Sequence, residues 1–287
     1  MYCIVYRMGA ARAARDTEEE HMSDRRARDA AERIWRSWER GECIDDLPES
    51  CRPRTLAEGY AAQAALLEVS GERSRGWKIA ATSTPGQRHI GVDGPLAGRL
   101  LASKVHADGA ELPMAGNHMR VAEAEFAFVL ARDLPPRARD YTPQEVMDCV
   151  ASLHPAIELP DSRFASFATA GGAQLVADDA CARWFVLGEA ADEGWRAERD
   201  GGALAAHPVR LVINGEEVTR GQGADVLGGP AIALAWLANC HAARGCGLAA
   251  GEIVTTGVCG RPSPIAAGDR LEADFGALGR VALTLGG

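Results

Sequence analysis

The spacing of apolar positions shifts from three-four to two near residue 72, dividing the chain into a helical lead-in and a β-rich body. From Ser23, a good N-cap, Ala27, Ala30, Ala31, Ile34, Trp35 and Trp38 mark one helical face until Gly41 stops it. After a Pro-containing link from Leu47 to Arg54, Thr55 and Glu58 form a capping box before LAEGYAAQAALLEV, a second helix ending near Gly71. Beyond it, WKIAA, VAEAEFAFVL, AIEL, ARWFVLG, VRLVING, EIVTTGV, RLEADFG and RVALTLG alternate with Gly, Pro and Asp turns and predict strands. Two helices interrupt them, one from Pro143 with a Thr142/Glu145 capping box, the other from Pro230 through IALAWLANCHAA to about Gly245. Without regular βαβ alternation or internal repeats, the predicted class is α+β rather than a parallel barrel or dinucleotide fold. GQGADVLGG does not fit G-x-G-x-x-G and lacks a phosphate-loop Lys-Ser/Thr pair, which argues against a nucleotide site.

The pattern predicts three segments. Residues 1–22 carry the charge run DTEEEH without apolar periodicity and form a flexible extension ending at Met22, which can itself serve as a translation start. Residues 23–71 are the helical lead-in and 72–287 the β-rich core of a single catalytic domain. A length of 287 residues with 47% hydrophobic content supports one sizeable core. The net charge of -9 leaves no broad positive surface for nucleic acid or anionic lipid. No apolar run long enough to cross a bilayer is expected, and the N-terminal basic residues follow rather than precede the short apolar stretch, so a cytoplasmic location is expected. The 8 cysteines include no C-x-x-C pair and are expected to be reduced.

Of the 31 basic residues only Lys78 and Lys104 are lysines. Where a bare positive charge suffices the chain uses arginine, which cannot release its proton near neutral pH, so a lysine can mark chemistry. Lys104 is taken as incidental. Lys78, set in apolar WKIAA, is expected either to have its pKa depressed by desolvation and to exchange protons, or to be a snorkelling surface lysine. In VAEAEFAFVL the strand period puts Glu123, Glu125, Ala127 and Val129 on one face and Ala124, Phe126, Phe128 and Leu130 on the other. Carboxylates so placed sit roughly 7 Å apart, and burying both without a partner costs several kcal/mol each. Either a hard divalent cation, Mg2+ or Mn2+ in the absence of a Cys or His cluster, lies between them, or the strand is an edge with two solvated glutamates. Glu158, in the apolar run HPAIELP, offers a third acid; alone it reads as a structural acid paired with Arg163. Asp93 in HIGVDGP reads, by itself, as a turn residue.

GWKIAATS, GVDGPLAGRLL, VAEAEFAFVL, PAIELPDSRF, VADDA, VLGGPAIALAWLAN and GRPSPIAAGDRLEADFGALG, in that order, resemble the 2-keto-4-pentenoate hydratase group of the fumarylacetoacetate hydrolase superfamily. The resemblance runs from about Pro53 to the C-terminus, and the helix from Ser23 looks like the family's leading helix. It implies a mixed β-sandwich roll, fumarylacetoacetase C-terminal-like, with N-terminal helices. It further implies a metal held by the E-x-E strand and the following PA-x-E strand, hence by Glu123, Glu125 and Glu158. The G-x-K lysine, Lys78, and the GVD aspartate, Asp93, are implied to handle protons; Ser162 of DSR and Thr256 of TTG fall where substrate-facing hydroxyls are placed. KIAAT replaces the frequent K-[IV]-G-x-T, ADDA replaces ADNA at Asp179, and RVAEAE lacks a proline before its arginine. None of these departures removes a metal ligand, but each can reshape the acid pocket.

The implied activity is metal-dependent addition of water to a 2-hydroxy-2,4-dienoate or 2-oxo-enoate, giving a 4-hydroxy-2-oxo acid. The same enolate chemistry would serve a 2-oxo-3-hexenedioate decarboxylase. An acylpyruvate C–C hydrolase would need a His-Glu pair on an N-terminal segment, for which His21 is the candidate. A silent oxo-acid binder is the reading from another class, against which Lys78 and the three acids argue. The resemblance also implies a homo-oligomer, with the Trp35/Trp38 face either at the contact or packed on the chain's own core.

Overall fold

The computed structural model describes residues 22–198 and 202–287. Residues 1–21 of the expected extension, His21 among them, lie outside the described residues. The first helix spans 22–40, so Ser23 sits within its first turn rather than capping it, and Gly41 ends it at φ 63°. The second, Leu56–Ser70, starts on the expected Thr55/Glu58 capping box and stops at Gly71 in the left-handed conformation. Their apolar faces meet: Ala30, Ile34 and Trp38 pack with Ala62 and Leu66 against Leu96, Leu101 and Val176. Trp38 thus docks on the chain's own core, and its indole N–H donates to Asp178 Oδ1 at 2.9 Å.

The strands, in chain order, are β1 (Ser74–Ala80), β2 (Leu96–Leu101), β3 (Val105–Ala107), β4 (Ala110–Pro113), β5 (Val121–Leu130), β6 (Val150–Leu159) and β7 (Trp184–Leu187). They continue as β8 (Pro208–Ile213), β9 (Glu216–Gln222), β10 (Ile253–Val258), β11 (Ser263–Pro264), β12 (Arg270–Asp274) and β13 (Arg280–Gly286). An 8-stranded mixed sheet runs β2-β1-β10-β5-β6-β7-β3, with β11 also paired to β5; a 5-stranded sheet runs β4-β13-β12-β8-β9. The expected α+β class with N-terminal helices is borne out.

Alternation along β5 explains how the sheets stack. Ala124, Phe126, Phe128 and Leu130 point into a shared core with Leu211, Leu271, Val281 and Leu283, where Phe126 meets Phe275 edge-on at 5.0 Å. The opposite face of β5 is therefore left for Glu123 and Glu125. The run HPAIELP is not a short strand between prolines: β6 has 10 residues and contains Pro155, opposite Phe126. Proline costs the ladder a donor, and it is tolerated where the β6–β7 pairing ends, just beyond Ala156↔Leu187. The stretch Gly223–Ala243 is, contrary to expectation, long and apolar enough to cross a bilayer; 56% of its window is buried inside the molecule, with Ala231, Leu234 and Leu237 in the core.

Candidate active site

Four neighbouring strands carry the candidate chemistry. Parallel pairing sets Lys78 of β1 beside Thr255 of β10; antiparallel pairing sets Val258 of β10 beside Glu125, and Glu123 of β5 directly opposite Glu158 of β6. Carboxylates opposite one another on a sheet repel, so this register needs a positive charge to hold it. One oxygen or more from each of Glu123, Glu125 and Glu158 lies within 4.8 Å of the others.

Lys78 supplies part of that charge. Its ammonium lies 3.0 Å from Glu158 Oε1 and donates to the Ala180 carbonyl at 3.0 Å, with both side chains buried. The expected depression of its pKa is overturned. Burial does pull it down, but the fields of Glu158 and Glu123 outweigh that and push it above the ordinary lysine value. Lys78 is a fixed ammonium here, neither a snorkelling surface lysine nor a neutral amine. Glu158 is likewise not paired with Arg163, which binds Asp161 instead.

One cation is not enough for three acids. Burial and the neighbouring Glu158 push Glu123 up to about 7, and burial, Glu158 and Glu123 push Glu125 well above the usual carboxylate range. Glu125 Oε2 accepts from Thr255 Oγ1 and from the Gly257 amide, the latter at 2.8 Å. Glu125 Oε1 and both Glu158 oxygens are buried without a well-directed hydrogen-bond donor. Orphaned carboxylate oxygens cost free energy unless something binds them, and hard oxygens converging from three acids fit an oxygen-preferring divalent cation. No Cys or His joins the group.

The third element at the site is strained. Asp179, Ala180 and Cys181 follow one another at φ 54°, 50° and 62°, a left-handed run that costs about 1–2 kcal/mol per residue. It turns the Ala180 carbonyl onto Lys78, and is held by the Arg99 amide donating to Asp179 Oδ1 at 2.7 Å. Burial pushes Asp179 up to about 8, and its Oδ2 has no donor. The run fits only because residue 98 is glycine: a Cβ there would lie 2.2 Å from the Asp179 carbonyl oxygen and 3.1 Å from Lys78 Cδ. Gly98→Ala is therefore expected to destabilise the fold by about 1–3 kcal/mol and to lower activity beyond that loss, checked by thermal melting alongside initial rates at a temperature where the variant is fully folded.

The remaining sequence candidates sit elsewhere. Ser162 Oγ is buried and donates to Asp178 Oδ2 at 2.7 Å, helping the Arg163 amide and Trp38 hold that carboxylate. Thr256 Oγ1 donates to the Phe126 carbonyl at 3.2 Å, on the core side of β10. The hydroxyl of TTG that meets the glutamates is that of Thr255, which shares a face with Gly257 by strand period while Thr256 shares Val254's. Gly257, at φ 102° and with its Cβ position 2.4 Å from Thr82 Oγ1, has to be glycine for its amide to reach Glu125. Asp93 is exposed in the turn after the helix Thr84–Ile90 and is not brought to the carboxylates.

Lys78 and Glu123 form part of the wall of a cavity of about 750 Å³ whose other walls include Thr82, Met119, Phe167 and Arg261. Ser162, Thr256 and Asp93 are not among its lining residues.

Residues 99–285 match the model of the fumarylacetoacetate (FAA) hydrolase C-terminal family. The chain is 35% identical over 247 residues to a 2-keto-4-pentenoate hydratase of Burkholderia vietnamiensis, covering 85% of this chain and 91% of that one. It is 33% identical over 246 residues to a 2-hydroxyhexa-2,4-dienoate hydratase of Comamonas testosteroni, covering 84% and 90%. Among solved structures, 4-oxalocrotonate decarboxylase from Pseudomonas putida G7, complexed with magnesium and adipate, superposes with a TM-score of 0.81 at 27% identity, covering 90% of this chain and 97% of that one.

Proposed function

The chain belongs to the fumarylacetoacetate (FAA) hydrolase C-terminal family, and from that premise we propose that it is a metal-dependent hydratase converting a 2-hydroxy-2,4-dienoate to a 4-hydroxy-2-oxo acid. Its curated relatives are hydratases of this kind, and it is an enzyme of the 2-keto-4-pentenoate hydratase type. The observation that carries the mechanism is the convergence of Glu123, Glu125 and Glu158 within 4.8 Å beside a cavity that Glu123 and Lys78 line, with three of their oxygens lacking a well-directed hydrogen-bond donor.

In this reading the three glutamates hold Mg2+ or Mn2+, which when bound supplies Lewis-acid polarisation of the substrate's 2-oxo oxygen and carboxylate. Thr255 and the Gly257 amide hold one oxygen of Glu125 and leave the other free for a cation. Lys78, kept as an ammonium by Glu158 and Glu123, has a proton to give to the far carbon of the dienol. The 2-hydroxyl proton is lost in the same step and restores the ammonium, and the conjugated 2-oxo-3-enoate so formed takes the hydroxyl of water at C4 and its proton at C3. Asp93, on the solvent side just beyond the helix Thr84–Ile90, is assigned proton exchange with water. Ser162 and Thr256 are assigned positioning roles through Asp178 and the Phe126 carbonyl, leaving Thr82 as the buried hydroxyl-bearing residue at the cavity. The expected homo-oligomer and cytoplasmic location belong to the same reading.

Likeness to the solved decarboxylase favours a second reading, in which the same charge stabilisation serves loss of CO2. The two are separated by following the dienol's ultraviolet absorbance together with released CO2. Hydration predicts metal-dependent decay, water incorporated at C4 and no CO2. Turnover that survives exhaustive chelation would sink the metal-dependent scheme, and stoichiometric CO2 would replace hydration with decarboxylation.

A further inference from the structure

Besides Lys78, which is already paired with Glu158, Arg261 is the one lysine or arginine among the cavity's lining residues. Its side chain is exposed, and among the described residues no carboxylate lies within ion-pair distance of it. The acid that shares the wall, Asp225, is committed: its Oδ2 accepts from the amides of Gln222 and Gly260, each at 2.9 Å.

The backbone that presents Arg261 is built rather than loose. Pairing of β10 with β5 ends at Val258↔Glu125, and pairing of β11 with β5 resumes at Ser263↔Ala122, so residues 259–262 bulge out beside Glu123. The Cys259 amide ties the bulge to the Ala124 carbonyl at 2.9 Å, and the Gly260 amide ties it to Asp225. Gly260 is left-handed at φ 90°, with its Cβ position 3.1 Å from Thr219 Oγ1, and Pro262 restricts the other side. Bulges commonly re-aim a side chain beside an active site.

The three glutamates would be balanced by the Lys78 ammonium and a divalent cation, so Arg261 is not needed to hold that cluster together. A 2-oxo acid whose first carboxylate lay at the cation's site would leave the guanidinium without an anion of its own, while Ile79, Ile90, Met119 and Phe167 supply apolar wall for a carbon chain. From this surplus cation on a fixed bulge we infer that Arg261 receives a second anionic group at the far end of the substrate, making this a hydratase of dicarboxylic dienols rather than of dienols with a plain alkyl tail. The inference rests on the hydratase reading of the same site, and deepens it. A guanidinium suits the role because it binds carboxylate through paired N–H donors.

The test compares the Mg2+-loaded enzyme with Arg261→Gln and Arg261→Lys, using calorimetry with adipate and with hexanoate, then kinetics on a dicarboxylic and a monocarboxylic dienol. The wild type is expected to prefer adipate by at least about 10-fold; Arg261→Gln should weaken adipate by about 10- to 100-fold and collapse the preference, with Arg261→Lys between them. In kinetics the loss should fall on KM for the dicarboxylic dienol more than on kcat. Absence of an adipate preference in the wild type, or equal weakening of both acids in Arg261→Gln, overturns the inference. If neither dienol is hydrated while the Arg261-dependent preference for adipate stands, the hydratase reading fails and the assignment of Arg261 is upheld.

Discussion

Glu158→Gln is expected to lower kcat/KM by about 10³-fold and, in the absence of metal, to cost about 3–5 kcal/mol of stability. Both effects come from the same atoms. Glu158 stands opposite Glu123 across the β5–β6 pair, where its oxygens complete the three-acid cluster, and it is the carboxylate nearest the buried Lys78 ammonium. The amide keeps the shape and removes the charge. One loss weakens a divalent cation's site; the other leaves a buried ammonium with its main partner gone, which is more costly than never having had the pair. Calorimetric titration with Mg2+ and thermal melting in chelator separate the two, since affinity reports the first and apo stability the second. Wild-type Mg2+ affinity in this variant would remove Glu158 from the ligand set, and an unchanged apo melting temperature would show that the Lys78 pair does not contribute as described.

Lys78→Met is expected to reduce kcat by about 10² to 10⁴-fold even at saturating metal. Methionine fills similar volume without charge, so the packing beside Gly98 survives while the proton donor is lost. The apo protein should lose stability, because the three clustered acids, Glu123 and Glu125 among them already held above the usual carboxylate range, are left without their cation. Saturating Mg2+ should return much of that stability through linkage and none of the turnover. Such a split marks Lys78 as acting on the substrate; if metal restored both together, its role would be confined to assembling the carboxylates.

Reading Glu123 and Glu125 as a same-face pair needed only the strand period, whereas the choice between a clustered site and a solvated edge was settled by β5 lying between β10 and β6. The capping boxes at Thr55/Glu58 and Thr142/Glu145 were equally local, since N-cap and N3 are three residues apart. Strand period puts Thr255 and Gly257 on one face of EIVTTGV, but that this face meets Glu125 is decided by the irregular register between Thr255 and Val258. The direction of the Lys78 shift was also misread. Burial was visible in WKIAA, but the carboxylates that overcome it come from β5 and β6, far along the chain. Asp93 lies exposed in its turn as its neighbours suggested, outside the three-glutamate group.

By itself the sequence determined the class of fold, the two N-terminal helices and the residue types able to hold a metal, because periodicity, capping and donor chemistry act over a few residues. Only the tertiary structure decided that Glu123 faces Glu158, that Lys78 stays charged, that Asp179, Ala180 and Cys181 take a left-handed run against Gly98, and that Arg261 shares a cavity with Lys78. Each of these depends on strand order and register between segments tens of residues or more apart, where Coulomb fields and close contacts follow distance in space rather than along the chain.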